Sequence, residues 1–290
     1  MKTTMALSKQ AARGTRSSVP VTCITLLTDF GAQDVFVGIL RGVILSIAPE
    51  ARIVDLTHLI PPQDVRQGAR ALARAAPYFP AGTIHLAVVD PGVGSARRPL
   101  GARLGPHFFV GPDNGLVTLL VRRAQRTQES CDFVHLDRRE YWLNEVSHIF
   151  HGRDIFAPVA AHLARGVLLA DLGSPVSDPV LLEFAEPQVT ARGLRGEVTS
   201  IDHFGNVLTN IEPEHLGELR ILRVRIGEVE ILGLARTFGE RPPGELLALW
   251  SSDGHLCLAE ANGNAARRLG ARPGDAVEVF TAPHGSTEAL

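Results

Sequence analysis

Apolar positions along the chain follow two different rhythms. Up to about residue 165, short β-branched apolar runs alternate with longer stretches of helical spacing. Val21 to Leu27, Arg52 to Leu56, Ile84 to Val89, Phe108 to Val110 and Phe133 to Leu136 read as strands. Phe36 to Ile47, Val65 to Ala76, Leu116 to Arg123 and an alanine-rich stretch from Phe150 through His162 to about Arg165 read as helices. Pro49 stops the first helix, and Asp64 is placed to cap the second. Strand and helix in alternation predict an α/β sandwich domain. Between Asp171 and about Arg195, Pro175, Pro179 and Pro187 break any period, and the stretch reads as a linker. Beyond it come short strands at Gly196 to Ile201, Val207 to Ile211, Arg220 to Val224, Val229 to Leu232, Leu246 to Leu249, Leu256 to Ala259 and Ala276 to Phe280. Glycine and proline turns separate them, the spacing of a small β barrel or sandwich. The expected organisation is an extension over 1–20, an α/β domain over 21–185 and a smaller β domain over 195–290.

Composition narrows the class of function. The 290 residues are 45% hydrophobic and 21% charged, with a formal net charge of -2. That balance suits a soluble globular chain and gives no basic surface for nucleic acid or anionic membrane. No apolar run approaches a membrane span. Cys23, Cys131 and Cys257 are widely spaced with no CxxC pair, so neither a disulfide framework nor a structural zinc site is indicated, and a cytoplasmic setting is expected. Residues 1–20 carry Lys2, Lys9, Arg13 and Arg16 among Ser and Thr, without the apolar block of a secretory signal; they read as a disordered extension.

Chemistry concentrates where strands break into turns. In Val88 to Arg98, VVDPGVGSARR, a strand runs into Asp90-Pro91-Gly92, which pins Asp90 at the strand's carboxyl end. Ligands of open α/β sheets bind at that edge. Arg97 follows seven residues on, far enough for the loop to fold back onto Asp90. A plain surface ion pair and a catalytic pair both fit this stretch. The first strand ends in the same way, in Thr28-Asp29-Phe30-Gly31 and Asp34, so two acids are expected on one rim. The order G-x-G-x-x-G is absent, which argues against a phosphate cradle. Phe150-His151-Gly152-Arg153-Asp154 opens a helix; His151 suits a general base or an oxyanion-type donor, Arg153 and Asp154 suit a local pair and His148 is incidental. In the second half, Asp202-His203-Phe204-Gly205-Asn206, Ser251-Ser252-Asp253-Gly254 and Glu260 to Ala266 are polar turns, the last with amides able to read a base edge.

Taken in order, TDFG with Asp34, IPPQD, VVDPGVGSARR, GPDNG, FHGRDIFAPVAAHLA, IDHFGNVLTN and the SSDG and EANGNAA segments resemble one family. It is the S-adenosylmethionine hydroxide adenosyltransferases, relatives of the fluorinases and chlorinases, and the resemblance spans about residues 21 to 285. It implies an α/β domain followed by a β domain, a homotrimer with the ligand at the subunit interface, and hydrolysis of S-adenosylmethionine to adenosine and methionine. No cofactor and no metal are implied. The family's hydrolytic triad falls on Asp90, Arg97 and His151; halogenating relatives carry tyrosine in place of Asp90. Asp29 matches the aspartate that holds the ribose hydroxyls, Asp34 and Asp202 residues around the methionine end, Asn206 one that reads adenine and Ser252 a carboxylate contact. Two positions depart: Asp253 stands where the fluorinase has arginine, and Ile149 where threonine is usual. A halogenase and a non-catalytic nucleoside-binding protein are the rival readings.

Overall fold

A computed structural model describes residues 22–283; the expected extension over 1–20 lies outside them. The chain forms two compact units, one ending at Leu182 and the other beginning at Glu183. In the first, the order is β1 (Cys23–Thr28), α1 (Phe36–Ile47), β2 (Arg52–Thr57), α2 (Val65–Ala75), β3 (Ile84–Val88), β4 (Pro99–Leu104), β5 (His107–Pro112), α3 (Thr118–Arg126), β6 (Cys131–His135), α4 (Ala157–Ala164) and β7 (Ser174–Pro175). These strands make one sheet in the order β2-β1-β3-β5-β4-β6-β7. β2, β1, β3 and β5 run parallel, and β4 pairs antiparallel with β5 and β6.

β1 and β3 are apolar almost throughout because the sheet is covered on both faces. Ile24, Leu26, Ile84, Leu86 and Val88 share a core with Leu40 and Ile44 of α1 and Val159, Ala160 and Leu163 of α4. On the other side α2 packs with α3, and Gly68 of α2 lies so near Leu116 and Val89 that a Cβ there would stand 2.7 Å from Leu116. Asp64 does cap α2, its Oδ1 accepting from Gln67 N at 2.9 Å. β4 has no counterpart in the sequence reading: Gly101, pressed against Leu136 and Leu169, dilutes its apolar signal. The reading of one continuous helix from Phe150 is also corrected, since a π-turn over Gly152–Phe156 precedes α4.

The chain leaves β1 for β2 on one side and returns to β3 on the other. The direction of winding therefore reverses between β1 and β3, and the crevice at their carboxyl ends is the sheet's topological switch point. Thr28 pairs with Val88 in register, so Asp29 and Asp90 stand on either side of that crevice. No helix of the described residues is long and apolar enough to cross a membrane.

His85 of β3 gives the fold a pH dependence of its own. It is fully buried, with Nδ1 2.7 Å from Thr25 Oγ1 and its ring against His107. Burial, with the His107 ring beside it, pushes its pKa down to about 3. An unfolded chain, titrating near the ordinary value of about 6.5, then takes up a proton that the folded chain refuses. Stability is complete above that value and falls as pH drops toward about 3. From pH 6.5 to pH 5 this group should remove about 2 kcal/mol. Urea unfolding at a series of pH values measures the slope, and His85→Gln should reduce it by about one proton; an unchanged slope would contradict the assignment.

The second unit contains β8 (Gln188–Thr190), β9 (Gly193–Ile201), β10 (Val207–Thr209), β11 (Leu219–Ile226), β12 (Val229–Leu232), β13 (Leu246–Trp250), β14 (Leu256–Glu260), α5 (Ala265–Leu269) and β15 (Ala276–Pro283). The sheet order is β12-β11-β15-β9-β10-β14-β13, with β8 added beside β9. Just past β12, Ala235 N donates to Ala248 O of β13 at 2.8 Å, so the two edge strands meet and the sheet nearly closes into a barrel. Val198, Val207, Val224, Leu256, Leu258 and Val277 fill its interior.

Candidate active site

After β3 the loop folds back through two tight turns, with Val93 N donating to Asp90 O and Ser95 N to Gly92 O. This brings Arg97 onto Asp90: Nε lies 3.0 Å from both carboxylate oxygens and Nη2 also bonds Oδ2. The side chains are only 5% (Asp90) and 9% (Arg97) exposed. Desolvation consumes most of what a buried ion pair gains, so such a pair is a poor stabilising device. The reading as a surface ion pair therefore fails on burial. Arg97 also stacks over the Phe156 ring, 5.2 Å from its centroid. Its Nη1 is buried and has no hydrogen-bond partner among the described residues. A buried charged donor without an acceptor is costly, and the arrangement makes sense where something else supplies one.

His151 touches the pair directly, its Nδ1 2.9 Å from Arg97 Nη2. Guanidinium only donates, so Nδ1 accepts, and the neutral ring carries its proton on Nε2. Burial first, then the Arg97 charge, lowers the His151 pKa below 6.5; Asp90 and Asp154 oppose this, and His148 adds to it. The ring is half-buried rather than exposed. Loop and histidine are held together at Gly94, whose φ is +77° and whose Cβ, if it had one, would stand 2.4 Å from the His148 carbonyl oxygen. His148, incidental by sequence, thus contributes its backbone.

Neighbouring charges have other work. Arg98 turns away from Arg97 to pair with Asp113 at 2.8 Å and Asp178 at 2.8 Å. Arg153 pairs with Asp154, a fully buried carboxylate that also accepts from Ser147 N at 2.8 Å. Asn114 donates to Val89 O at 2.8 Å, tying the GPDNG turn to the end of β3. Asp29 accepts from Gln63 N at 2.8 Å, and Asp34 is exposed ahead of α1. Phe30, Phe36 and Phe150 pack edge to face, their centroids 5.4–6.0 Å apart.

In the second unit Asp202 organises its own turn. Oδ1 accepts from Phe204 N and Asn206 N, each at 2.9 Å, and Oδ2 from Asn206 Nδ2 at 2.7 Å. Gly205, at φ +86°, leaves room for Asn264. That asparagine caps α5, its Oδ1 accepting from Arg267 N at 2.8 Å. Ser252 is exposed, while Ser251 bonds the Asp253 carboxylate and holds it within its own turn.

Among the described residues no three His, Cys, Asp or Glu side chains gather as a metal site would need. The structure joins Asp90, Arg97 and His151 in direct contact and places Asp29 on the adjoining strand end. Sequence reasoning did not single out His58, Gln63 or the Gly94 contact; positive φ at Gln63, +67°, leaves no mark in sequence.

The model of the SAM hydroxide adenosyltransferase N-terminal domain matches residues 24–173, and that of the SAM hydroxide adenosyltransferase C-terminal domain matches residues 196–278. The (R)-S-adenosyl-L-methionine hydrolase of Salinispora tropica is 45% identical over 263 residues, 90% of this chain and 98% of that protein. The hydrolase of the same name from Thermus thermophilus is 40% identical over 266 residues, 89% and 99% of the two chains. Proteins named fluorinase are more distant, that of Nocardia brasiliensis at 28% identity. A crystal structure of a conserved protein from Thermotoga maritima superposes with a TM-score of 0.82 at 36% identity, covering 89% of this chain and 99% of that one.

Proposed function

The chain belongs to the SAM hydroxide adenosyltransferase family, and from that premise we propose that it hydrolyses S-adenosyl-L-methionine to adenosine and L-methionine. Water attacks C5′, the C5′–S bond breaks with its electron pair going to sulfur, and one proton is released. A sulfonium is already a good leaving group, so the protein's task is to place an oxygen nucleophile in line with that bond, and such placement can be worth roughly 7–11 kcal/mol.

The observation that carries the proposal is the pair of donors to which the buried trio gives no acceptor of its own. Arg97 Nη1 has no protein acceptor, and His151 Nε2 keeps its proton because Nδ1 is engaged. Two donors converging on one water orient its remaining lone pair toward carbon and stabilise hydroxide character. Arg97 cannot accept a proton and His151 has no free lone pair in this arrangement, so the proton goes to the Asp90 carboxylate, which retains acceptor capacity beyond its bonds to Arg97. Asp29 holds the ribose hydroxyls, Asn206 the adenine, and Asp34, Asp202 and Ser252 the methionine end. The substrate is the (R) sulfonium epimer, as the hydrolase relatives' names specify. The working form is a cytoplasmic homotrimer with its ligand at the subunit interface. Exposed Leu59, Val35 and Ile149 beside the rim support a surface that meets another subunit, and free cysteines support the compartment.

The test is an incubation in ¹⁸O-water with chloride present, resolved by chromatography and mass. Adenosine labelled at the 5′ oxygen, with methionine, is expected; a 5′-chloro nucleoside or unchanged substrate supports a rival. Two further results should follow. Gly94→Ala forces a side chain into left-handed backbone and against the His148 carbonyl, costing about 1–2 kcal/mol from the backbone alone. It should lower kcat about 10²-fold by displacing the loop, and wild-type turnover would contradict the role given to this contact. Because the folded His151 pKa is lowered, its neutral form persists through pH 6.5. The acid limb of kcat/KM assigned to His151 should therefore have its midpoint below 6.5, and a midpoint at or above it would overturn the assignment.

A further inference from the structure

The Asp29 carboxylate sits on a turn whose conformation is fixed by a residue the reaction itself does not use. His58 follows β2, and its side chain is 11% exposed. Its Nδ1 lies 2.9 Å from Thr28 Oγ1, and its backbone carbonyl accepts from Gly31 N at 2.8 Å. One residue thus holds both ends of the Thr28–Gly31 turn that presents Asp29. The turn needs such support because the pairing of β1 with β2 shifts register between Leu26 and Leu27, just before it.

The polarity of the contacts is consistent from end to end. Phe30 N donates to Thr28 Oγ1 at 3.2 Å, and Thr28 is fully buried. On the far side of the ring, Nε2 stands 3.2 Å from Asp55 Oδ1, close enough for attraction but out of line with the ring N–H. Asp55 is in turn paired with Arg41. A neutral ring that carries its proton on Nε2, the nitrogen nearer the Asp55 charge, leaves Nδ1 as an acceptor, so the Thr28 hydroxyl donates to it. The opposite side of Asp29 is fixed by Gln63 N, offered from a left-handed backbone at φ +67°. Strained backbone persists where its surroundings determine it, often beside a functional group.

We propose that His58, through Thr28, is a positioning residue that sets the orientation of Asp29 for the ribose hydroxyls of the substrate. The inference rests on the reading of Asp29 as the ribose-binding carboxylate. It predicts a loss concentrated in binding, because the reacting atoms are held by the separate loop and histidine after β3.

The experiment measures kcat and KM for S-adenosyl-L-methionine, and adenosine affinity by calorimetry, in the full-length protein. Variants are His58→Leu, His58→Asn, Thr28→Val, the double variant His58→Leu/Thr28→Val and Asp29→Ala. Loss of one buried hydrogen bond should raise KM and adenosine Kd about tenfold in His58→Leu and in Thr28→Val. The double variant should be no worse than either single one. Asparagine, whose carbonyl can replace Nδ1 as acceptor, should restore both constants to within about threefold. If His58→Leu fails to fold, the shape-conserving Thr28→Val decides. Unchanged KM in Thr28→Val, with KM raised in Asp29→Ala, would overturn the positioning role and leave the Asp29 reading intact. Unchanged KM in Asp29→Ala would overturn that reading and the inference with it. A fall in kcat at constant KM in the His58 and Thr28 variants would also overturn it.

Discussion

Replacing Arg97 by lysine should lower kcat for adenosine release about 10²–10³-fold in a protein that still folds. Lysine keeps a positive charge beside Asp90, so the buried carboxylate is not left alone. It lacks the planar fork that lets one guanidinium bond Asp90, touch His151 Nδ1 and present Nη1 at the same time. What disappears is the geometry of the donor, while the sign of the charge remains. Arg97→Met would test less cleanly, because an unpaired buried carboxylate costs about 3–5 kcal/mol and confuses folding with chemistry. Product release under saturating substrate, measured by chromatography on protein checked by thermal unfolding, decides the matter. Turnover within about threefold of the parent would show that a point charge suffices and that the fork has no role.

Asp90→Asn should be at least as damaging, with kcat falling about 10²–10⁴-fold, the span associated with loss of a general base. Asparagine matches the shape of aspartate but cannot take the proton released by the water. It also leaves the 9%-exposed Arg97 side chain without its counter-charge, so a loss of stability of about 3–5 kcal/mol should accompany the kinetic effect. His151→Ala removes one donor and should cost less, about 10²-fold. The order Asp90 over His151 is the informative result. Were His151→Ala the more damaging variant by a decade or more, the imidazole would be the base and the Nδ1 contact with Arg97 would have to break during turnover.

Much of the first unit could be read from sequence because its central strands are buried on both faces, which leaves continuous β-branched runs, and because its helices carry clear punctuation. Asp64 capping α2 is an example: a short acid after two prolines, immediately ahead of helical spacing. β4 escaped because Gly101 packs where a larger side chain would collide with Leu136 and Leu169, which dilutes the strand's apolar signal. The five-residue α5 is too short to show a period. At the site, spacing alone brings Arg97 back to Asp90, yet two adjacent arginines look alike in sequence while the fold sends Arg98 to Asp113 and Asp178. Long-range contacts leave even less trace. His58 meets Thr28 only because two parallel strands align, and Gly94 meets His148 only because the loop after β3 crosses the segment before His151. The left-handed Gln63 that serves Asp29 is a consequence of its surroundings, not of its side chain.

The most direct measurement is a crystal structure with adenosine bound, read at the ribose 5′ carbon. A water or the 5′ hydroxyl itself should lie within hydrogen-bonding distance, about 2.7–3.2 Å, of Arg97 Nη1, His151 Nε2 and one Asp90 carboxylate oxygen. A 5′ carbon out of reach of all three side chains, with the nucleoside seated elsewhere on the rim, would contradict the assignment.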